Sequence, residues 1–416
     1  MPTLAGKSTL ASVGVGLLVA LVALGGCGSS QGSAAASGAG ATLASCQATV
    51  LAALDRVVGD VYHEGVASER TLIARRTIVG SSALRAAIES GSPAAVHAAA
   101  TKLLAGGRIT DLTIVREGHV LLSVGVPALA PLTGAITDAA GGTIATYRTS
   151  VWSDEGFLAE SDSLAEARVA LREGGVSVGG SQALAAGPLP ASGSIVVHHV
   201  RYRYASFAGT SYPGGALRVY VLRSVASTVP LCGADSEQTT VRTLGRVATL
   251  IYDGEAGPRT LRQVRRVQGD RALLAAVARR DPLATTAQVR LLLNQHIVRL
   301  RVIAAGNVLA DVGGPYVLAP VTAPLRLAGH TVGTLVLSIQ DDEGYLRLAR
   351  RLAGLRVLMY MGSQLVKNSL GPEPGPVPES GRYEYRGSTF AVTTLHVTAF
   401  PSGPLTIDVL IPLPYD

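Results

Sequence analysis

The sequence predicts an α+β fold present in two copies. Amphipathic helical patterns come first and period-two strand patterns follow, so helices and strands are segregated rather than alternating. The stretch 117–157 returns as 305–345: Gly118 and Gly306 stand 188 positions apart, as do Gly156 and Gly344. Apolar residues at 48% and charged residues at 16% suit a folded core. Because aromatics make up only 4%, that core must be built from Ala, Val and Leu. At about 150 residues per domain, 416 residues suggest two or three domains.

The chain opens with a targeting segment, residues 1–27. Lys7 supplies the basic region, and the apolar run 13–24 has the length of a signal h-region rather than a membrane span. It ends Leu24-Gly25-Gly26-Cys27, which resembles the bacterial lipoprotein signature: an aliphatic residue, two small ones, then Cys. Cys27 is the expected lipidation site, because its thiol is the nucleophile that takes a diacylglyceryl group. Residues 28–45 are small and of low complexity, and are expected to form a flexible tether.

With Cys27 lipidated, Cys46 and Cys232 remain. In an oxidising compartment the pair is expected to form a disulfide between the start of the first repeat and the junction. No His or Cys cluster completes a metal site around them.

The first repeat, 46–225, begins with a helix whose apolar face carries Val50, Leu54, Val57, Val58 and Val61. It is read over 49–62 and as continuing to Gly80. A second helix follows Ser81 and carries Leu84 and Ile88. A third starts at Ser92-Pro93, where Pro suits the first turn, and stops at Gly106-Gly107. Strands are expected at 109–115, 120–124, 133–137 and 143–151, a helix at 164–170, and a strand pair at 195–205 and 216–222. The second repeat, 226–416, follows the same order. Arg259-Thr260-Leu261 answers Arg70-Thr71-Leu72, Asp281-Pro282 answers Ser92-Pro93, and Pro401, Gly403 and Leu405 answer Pro213, Gly215 and Leu217.

The run Val308-Leu309-Ala310-Asp311-Val312-Gly313, then Leu318-Ala319-Pro320-Val321, then Gly329 to Leu335, resembles the Cache family of PAS-like extracytoplasmic sensor domains. In the first repeat the counterparts are Leu121 to Gly125, Leu129 to Leu132 and Gly141 to Ala145, with Ser123 where the second repeat has Asp311. The resemblance implies two tandem units, each with N-terminal helices packed on a five- or six-stranded antiparallel sheet whose other face cups a small molecule. The chain lacks the Arg-x-Trp-Tyr signature of amino-acid-binding members, since Trp152 is its one tryptophan.

Tests for an enzyme come out negative. The chain has no His-Glu-x-x-His motif and no dinucleotide fingerprint after a strand. His198-His199 are read as adjacent strand residues on opposite faces, which cannot share a metal. Asp154-Glu155 and Asp341-Asp342-Glu343 precede amphipathic runs and are read as helix caps. No cofactor or metal is expected. The arginines behind the net charge of +7 are spread along the chain without a basic run, which argues against nucleic acid.

Alternation suggests a ligand pocket. Ile144, Thr146, Arg148, Ser150 and Trp152 fall on one face and Tyr147 on the other; Val332, Thr334, Val336, Ser338 and Gln340 match the first set. Arg148 beside Trp152 would suit a carboxylate-bearing small molecule. The candidate ligand-binding residues are Arg148, Trp152, Tyr147, Ser123, Asp311, Tyr316 and Gln340. The expectation is a non-catalytic, lipid-anchored, extracytoplasmic sensing or binding protein. Without an output region before Asp416, any signal would pass to a membrane sensor kinase or other envelope protein. The alternative is a structural or interaction lipoprotein that binds a protein or wall polymer.

Overall fold

The computed structural model describes residues 32–180, 184, 187–254, 256–293 and 297–415. The expected signal segment and Cys27 lie outside them. The chain divides into two compact units, Met1–Thr42 and Leu43–Asp416. Of the first, the described part is the start of helix α1; both repeats lie in the second.

Helices open the first repeat: α1 Gly32–His63, α2 Glu69–Val79, α3 Ser82–Ser90 and α4 Pro93–Ala105. Helix α1 begins well before residue 49, inside the stretch read as a tether. It does not continue to Gly80. The chain turns at residues 64–68 and restarts α2 with a capping box, Ser68 accepting from the Thr71 amide and Thr71 accepting from the Ser68 amide. Ser81 and Ser92 cap α3 and α4, with Pro93 in the first turn of α4.

Strands β1 Asp111–Arg116, β2 His119–Gly125, β3 Ala128–Leu129, β4 Leu132–Thr137, β5 Thr143–Ser150 and β6 Trp152–Ser153 follow. Next come α5 Asp154–Ala165, then β7 Arg168–Glu173, β8 Val176–Gly180, β9 Ser192–Val197, β10 Val200–Ser211 and β11 Gly215–Ser224, with the short α6 Val225–Thr228. The helix expected at 164–170 sits earlier, because Ser153 caps α5 and Glu166 ends it in a left-handed conformation. The strand expected at 195–205 is a hairpin. His198 and His199 form its turn, with φ of 48° and 65°, instead of pointing to opposite faces of a strand.

The second repeat gives α7 Ser236–Gly254, α8 Pro258–Gln268, α9 Arg271–Ala278 and α10 Pro282–Leu293. Then come β12 Arg299–Ala304, β13 Asn307–Gly313, β14 Val321–Leu327, β15 His330–Ser338 and α11 Asp342–Ala353. It closes with β16 Arg356–Met361, β17 Gln364–Asn368, β18 Ser380–Tyr385, β19 Ser388–Ala399 and β20 Gly403–Leu413. Strand β12 starts 188 positions after β1, α11 after α5 and β19 after β10. The α+β class therefore holds, and the tandem duplication recurs in most elements.

Each repeat carries two antiparallel sheets instead of the single sheet that the family resemblance implies. The four-stranded sheets run β2-β1-β5-β4 and β13-β12-β15-β14. The second sheets have seven strands, β6-β3-β10-β11-β7-β8 with β9 beside β10, and five strands, β17-β16-β20-β19-β18. The chain changes sheet between Ser150 and Trp152: β5 ends, and Trp152 pairs with Leu129, which itself pairs with Ser211 of β10. In the second repeat the same crossing makes only isolated bridges, Val317 to Asp341 and Leu318 to Ala399, which accounts for the two missing strands.

One apolar cluster runs from Val50 and Val57 of α1 through Phe157 and Leu171 to Leu244, Tyr345 and Ile407, so the repeats share a core. A separate cluster, including Leu273, Leu300 and Leu335, serves the four-stranded sheet of the second repeat. The expected disulfide is formed: Cys46 bonds Cys232, Cα to Cα 5.6 Å, across 186 positions of sequence. No described helix is long and apolar enough to cross a membrane.

Candidate ligand-binding site between the repeats

Both long helices are fastened to the second sheet of their own repeat in the same way. The Tyr62 hydroxyl accepts from the Thr210 amide at 2.8 Å, and the Tyr252 hydroxyl accepts from the Thr398 amide at 3.0 Å. Just beyond Tyr62 the chain turns at Gly65, where a Cβ would fall 2.7 Å from Cδ1 of Trp152. Glycine there lets the indole lie against the turn, and its Nε1 donates to the Val61 carbonyl at 3.0 Å. The indole is thereby fixed at the junction of α1, β6 and α2.

Charged side chains gather around it. The Arg70 guanidinium sits 4.4 Å above the Trp152 ring. Glu64, its side chain 7% exposed, pairs with Arg351 of α11 at 2.6 Å. Glu160 of α5 pairs with Arg259 of α8 at 3.1 Å. These groups line a cavity of about 490 Å³, with Arg262 and Gln263 of α8, Ile339 and Gln340 after β15, and Leu348 and Leu352 of α11. A neighbouring hollow shares Trp152, Glu160, Arg259 and Arg262. The first repeat contributes Glu64, Arg70, Trp152 and Glu160, and the second contributes the rest. Trp152 and Gln340 hold equivalent positions, 188 apart, and Arg70 and Arg259 of the recurring Arg-Thr-Leu triplet stand 189 apart.

Burial pulls the Arg70 pKa down, and Arg259 and Arg351 add to that shift against the opposing pull of Glu160 and Glu64. Burial raises the Glu64 pKa in spite of Arg351 and Arg70. Gln263 Oε1 and Gln340 Nε2 are buried without a hydrogen-bond partner. Unmatched amide atoms on the wall of a cavity are places where a polar ligand replaces lost hydration. A wall of guanidinium, amide and apolar groups is equipped to hold an anion. Among the described residues no cluster of three or more His, Cys, Asp or Glu could hold a metal ion.

The residues expected from the sequence fall in several places. Trp152 and Gln340 meet in the cavity. Arg148 does not join them: it is the last exposed residue of β5, and its Nη1 donates to the Pro213 carbonyl at 3.4 Å. The expected guanidinium beside the indole exists, but it belongs to Arg70. Alternation was carried from Arg148 to Trp152 across a point where the chain changes sheets. Ser123 shares the open face of the first four-stranded sheet with Arg148, and its Oγ lies 2.9 Å from Thr113 Oγ1. Tyr147 is buried on the opposite face. Asp311 is held by Arg299 at 2.8 Å and Arg301 at 2.6 Å. Tyr316, with φ of 49°, accepts the amide of Asp342 at its carbonyl. Arg70, Arg259, Arg262, Arg351, Glu64 and Glu160 were missed as site residues. The Arg-Thr-Leu triplet present in both repeats was an available signal for Arg70 and Arg259 alone.

No family model matches the chain, and no curated protein does. Among solved structures, the periplasmic domain of Vibrio cholerae LuxQ is 14% identical over 39% of this chain and 96% of its own, at a TM-score of 0.28. The ligand-binding domain of the Pseudomonas fluorescens chemoreceptor CtaA, in complex with L-alanine, is 12% identical over 41% of this chain and 96% of its own, at 0.26. An extracellular ligand binding receptor from Desulfohalobium retbaense DSM5692 is 12% identical over 41% of this chain and 39% of its own, at 0.25.

Proposed function

We propose that this chain is an extracytoplasmic, lipid-anchored protein of tandem Cache-like units that binds a small molecule in the cavity between its repeats, without catalysing a reaction. The observation that carries the reading is the cavity itself. Its volume of about 490 Å³ lies within the usual range for small-molecule sites, roughly 300–1,000 Å³. Its walls come from both repeats, so an occupant would touch both and bias how they pack. A separate membrane protein, such as a sensor kinase, would read that change. Lipidation at Cys27 would hold the protein at the outer face of the cell membrane, with 46–225 and 226–416 as the two units.

A second reading, an interaction protein of the envelope, is favoured by one observation. Exposed apolar side chains recur at equivalent positions: Leu72 with Leu261, and Val120 with Val308. A thermal-shift screen of carboxylates, amino acids, amines and sugars separates the two. The binding reading expects a saturable rise in Tm from one chemical class, with stabilisation of about 2.7 kcal/mol at a hundred times the dissociation constant. A flat screen, together with capture of a defined envelope protein or wall polymer, supports the second reading. The anchor is checked separately: Cys27→Ser should move the protein from the membrane fraction to the soluble one.

A further inference from the structure

We infer that the cavity between the repeats takes a small dicarboxylate, with Arg70 and Arg262 receiving its two charges; this rests on the cavity being the ligand site. The charge balance of the wall is the first argument. Four guanidinium groups, Arg70, Arg259, Arg262 and Arg351, face two carboxylates, Glu64 and Glu160. Glu160 is matched to Arg259 and Glu64 to Arg351. Among the described residues no carboxylate lies in ion-pair contact with Arg70 or Arg262. The wall therefore carries an excess of two positive charges, and a dianion neutralises it.

The second argument is where those charges sit. Arg70 is held in place by stacking on Trp152, so its fork is ordered before any ligand arrives. Partial desolvation and, after it, the like-charged Arg259 and Arg351 depress its pKa, and an incoming anion offsets the like-charge part of that cost. Arg262 projects from α8 of the other repeat, so the two guanidinium groups outside ion pairs belong to different repeats. A ligand that satisfies both must span them. The third argument is the surface between the charges. Ile339, Leu348 and Leu352 make part of the wall apolar, which suits the methylene spacer of a dicarboxylate and not a compact inorganic anion. Gln340 Nε2, buried and unpartnered, supplies a donor to a carboxylate oxygen.

The test is isothermal titration calorimetry of the full chain in detergent with succinate, glutarate and adipate. Inorganic phosphate, choline and glucose are the comparison probes. The inference expects one dicarboxylate at least to bind saturably. Arg70→Gln and Arg262→Gln should each weaken it about tenfold or more, the scale of one charge-assisted hydrogen bond. Arg148→Gln, on the open face of the first sheet, should leave the affinity unchanged. Arg262 is exposed at the surface, so its variant is expected to keep the parent Tm without ligand and to report binding even if Arg70→Gln fails to fold. Phosphate binding as tightly as the best dicarboxylate, with the same arginine dependence, overturns the dicarboxylate class. Choline or glucose binding saturably while the dicarboxylates do not overturns the inference and leaves the small-molecule reading standing. Silence from all six probes overturns the inference; the wider screen above then decides whether the binding reading falls with it.

Discussion

The four-stranded sheets of the two repeats share a backbone and a register, yet carry opposite chemistry on their open faces. In the first repeat, Asp111, Thr113 and Ser123 are capped by Tyr212, whose hydroxyl lies 2.5 Å from Thr113 Oγ1 and 3.2 Å from the Arg148 carbonyl. In the second, the positions 188 later are Arg299, Arg301, Asp311 and Phe400. Both arginines fork onto Asp311, and their guanidinium groups lie 4.7 and 5.6 Å from the Phe400 ring centre. One face is a neutral hydroxyl network around a buried acid. The other is an ion-pair network under an aromatic lid. Duplication preserved what the backbone requires, the paired strands and the tyrosine fastening, while the polar side chains on the face were replaced as a set. Arg299 without Asp311 would leave adjacent like charges, and Asp111 beside Asp311 would repel, so single exchanges are penalised.

The largest difference between equivalent positions is expected in the cavity. Trp152 is 7% exposed and anchors α1 through the Val61 carbonyl, whereas Gln340 has a buried amide nitrogen without a partner. Trp152→Ala should lower stability by about 3–5 kcal/mol, and Gln340→Ala by less than about 1 kcal/mol. Urea unfolding measures both. Equal losses at the two positions would mean that the indole is no more structural than the amide opposite.

The two open faces should also respond to pH with opposite signs. Burial raises the Asp111 pKa from 3.8 to about 7, against hydrogen bonds that lower it. The folded state therefore holds the proton more tightly than the unfolded chain, so the contribution of Asp111 to stability is greatest below pH 4 and falls as the pH rises to 7. At 1.36 kcal/mol per unit the ceiling is about 4 kcal/mol. Asp111→Asn should remove that slope, being more stable than the parent at pH 8 and matching it near pH 4. Burial also acts on Asp311, but the hydrogen bonds of Arg299 and Arg301 outweigh it and hold its pKa below 3.8. Its contribution is present above the usual carboxylate range and lost as the pH falls through the depressed value. A parent whose stability does not change between pH 4 and 8 would contradict the assignment for Asp111.

Ser123 of the first repeat stands where the second has Asp311. Asp311→Ser leaves Arg299 and Arg301 side by side without their shared acceptor. The expected loss is about 1.5–3 kcal/mol, typical of a hydrogen bond to a charged group. Raising the salt concentration should recover part of it by screening the arginine pair. A loss insensitive to salt would point to packing against Phe400 as the cause.

How much of this was legible in the sequence depended on whether a feature is local. The duplication was legible because glycines and prolines at turns, such as Gly118 with Gly306 and Pro213 with Pro401, answer to backbone geometry and survive divergence. The caps at Ser92 and Asp341 were legible for the same reason, and two cysteines left few pairings. The second sheet in each repeat was not, because alternation along 143–153 reads the same whether Trp152 continues β5 or starts a new strand against Leu129. The His198-His199 turn was hidden by flanking strand residues, with no Gly or Asn to mark the positive φ. Most of all, the cavity depends on how one repeat docks on the other. Arg70 and Arg259 recur in sequence, but nothing local says that Glu160 of one repeat meets Arg259 of the next.

The smallest effect tests how deep the equivalence goes. Phe157 and Tyr345 are equivalent, 188 apart, and both are fully buried. The Tyr345 hydroxyl donates to the Ala248 carbonyl of α7 at 2.9 Å, and burial pushes its pKa well above the usual value. Tyr345→Phe removes one neutral hydrogen bond while the Ala248 carbonyl keeps its place in the helix, so the loss should be about 0.5–1.5 kcal/mol. The reverse exchange, Phe157→Tyr, places a hydroxyl beside α1. Tyr62 and Tyr252 align the long helices at 190 positions, which sets the Val58 carbonyl where Ala248 stands in the second repeat. If the helices pack alike, the new hydroxyl finds that carbonyl and Phe157→Tyr changes stability by less than about 1 kcal/mol. A loss of 1–3 kcal/mol, the usual result of overpacking or of an unpaired buried hydroxyl, would show that the shared core was repacked around Phe157 after the repeats diverged.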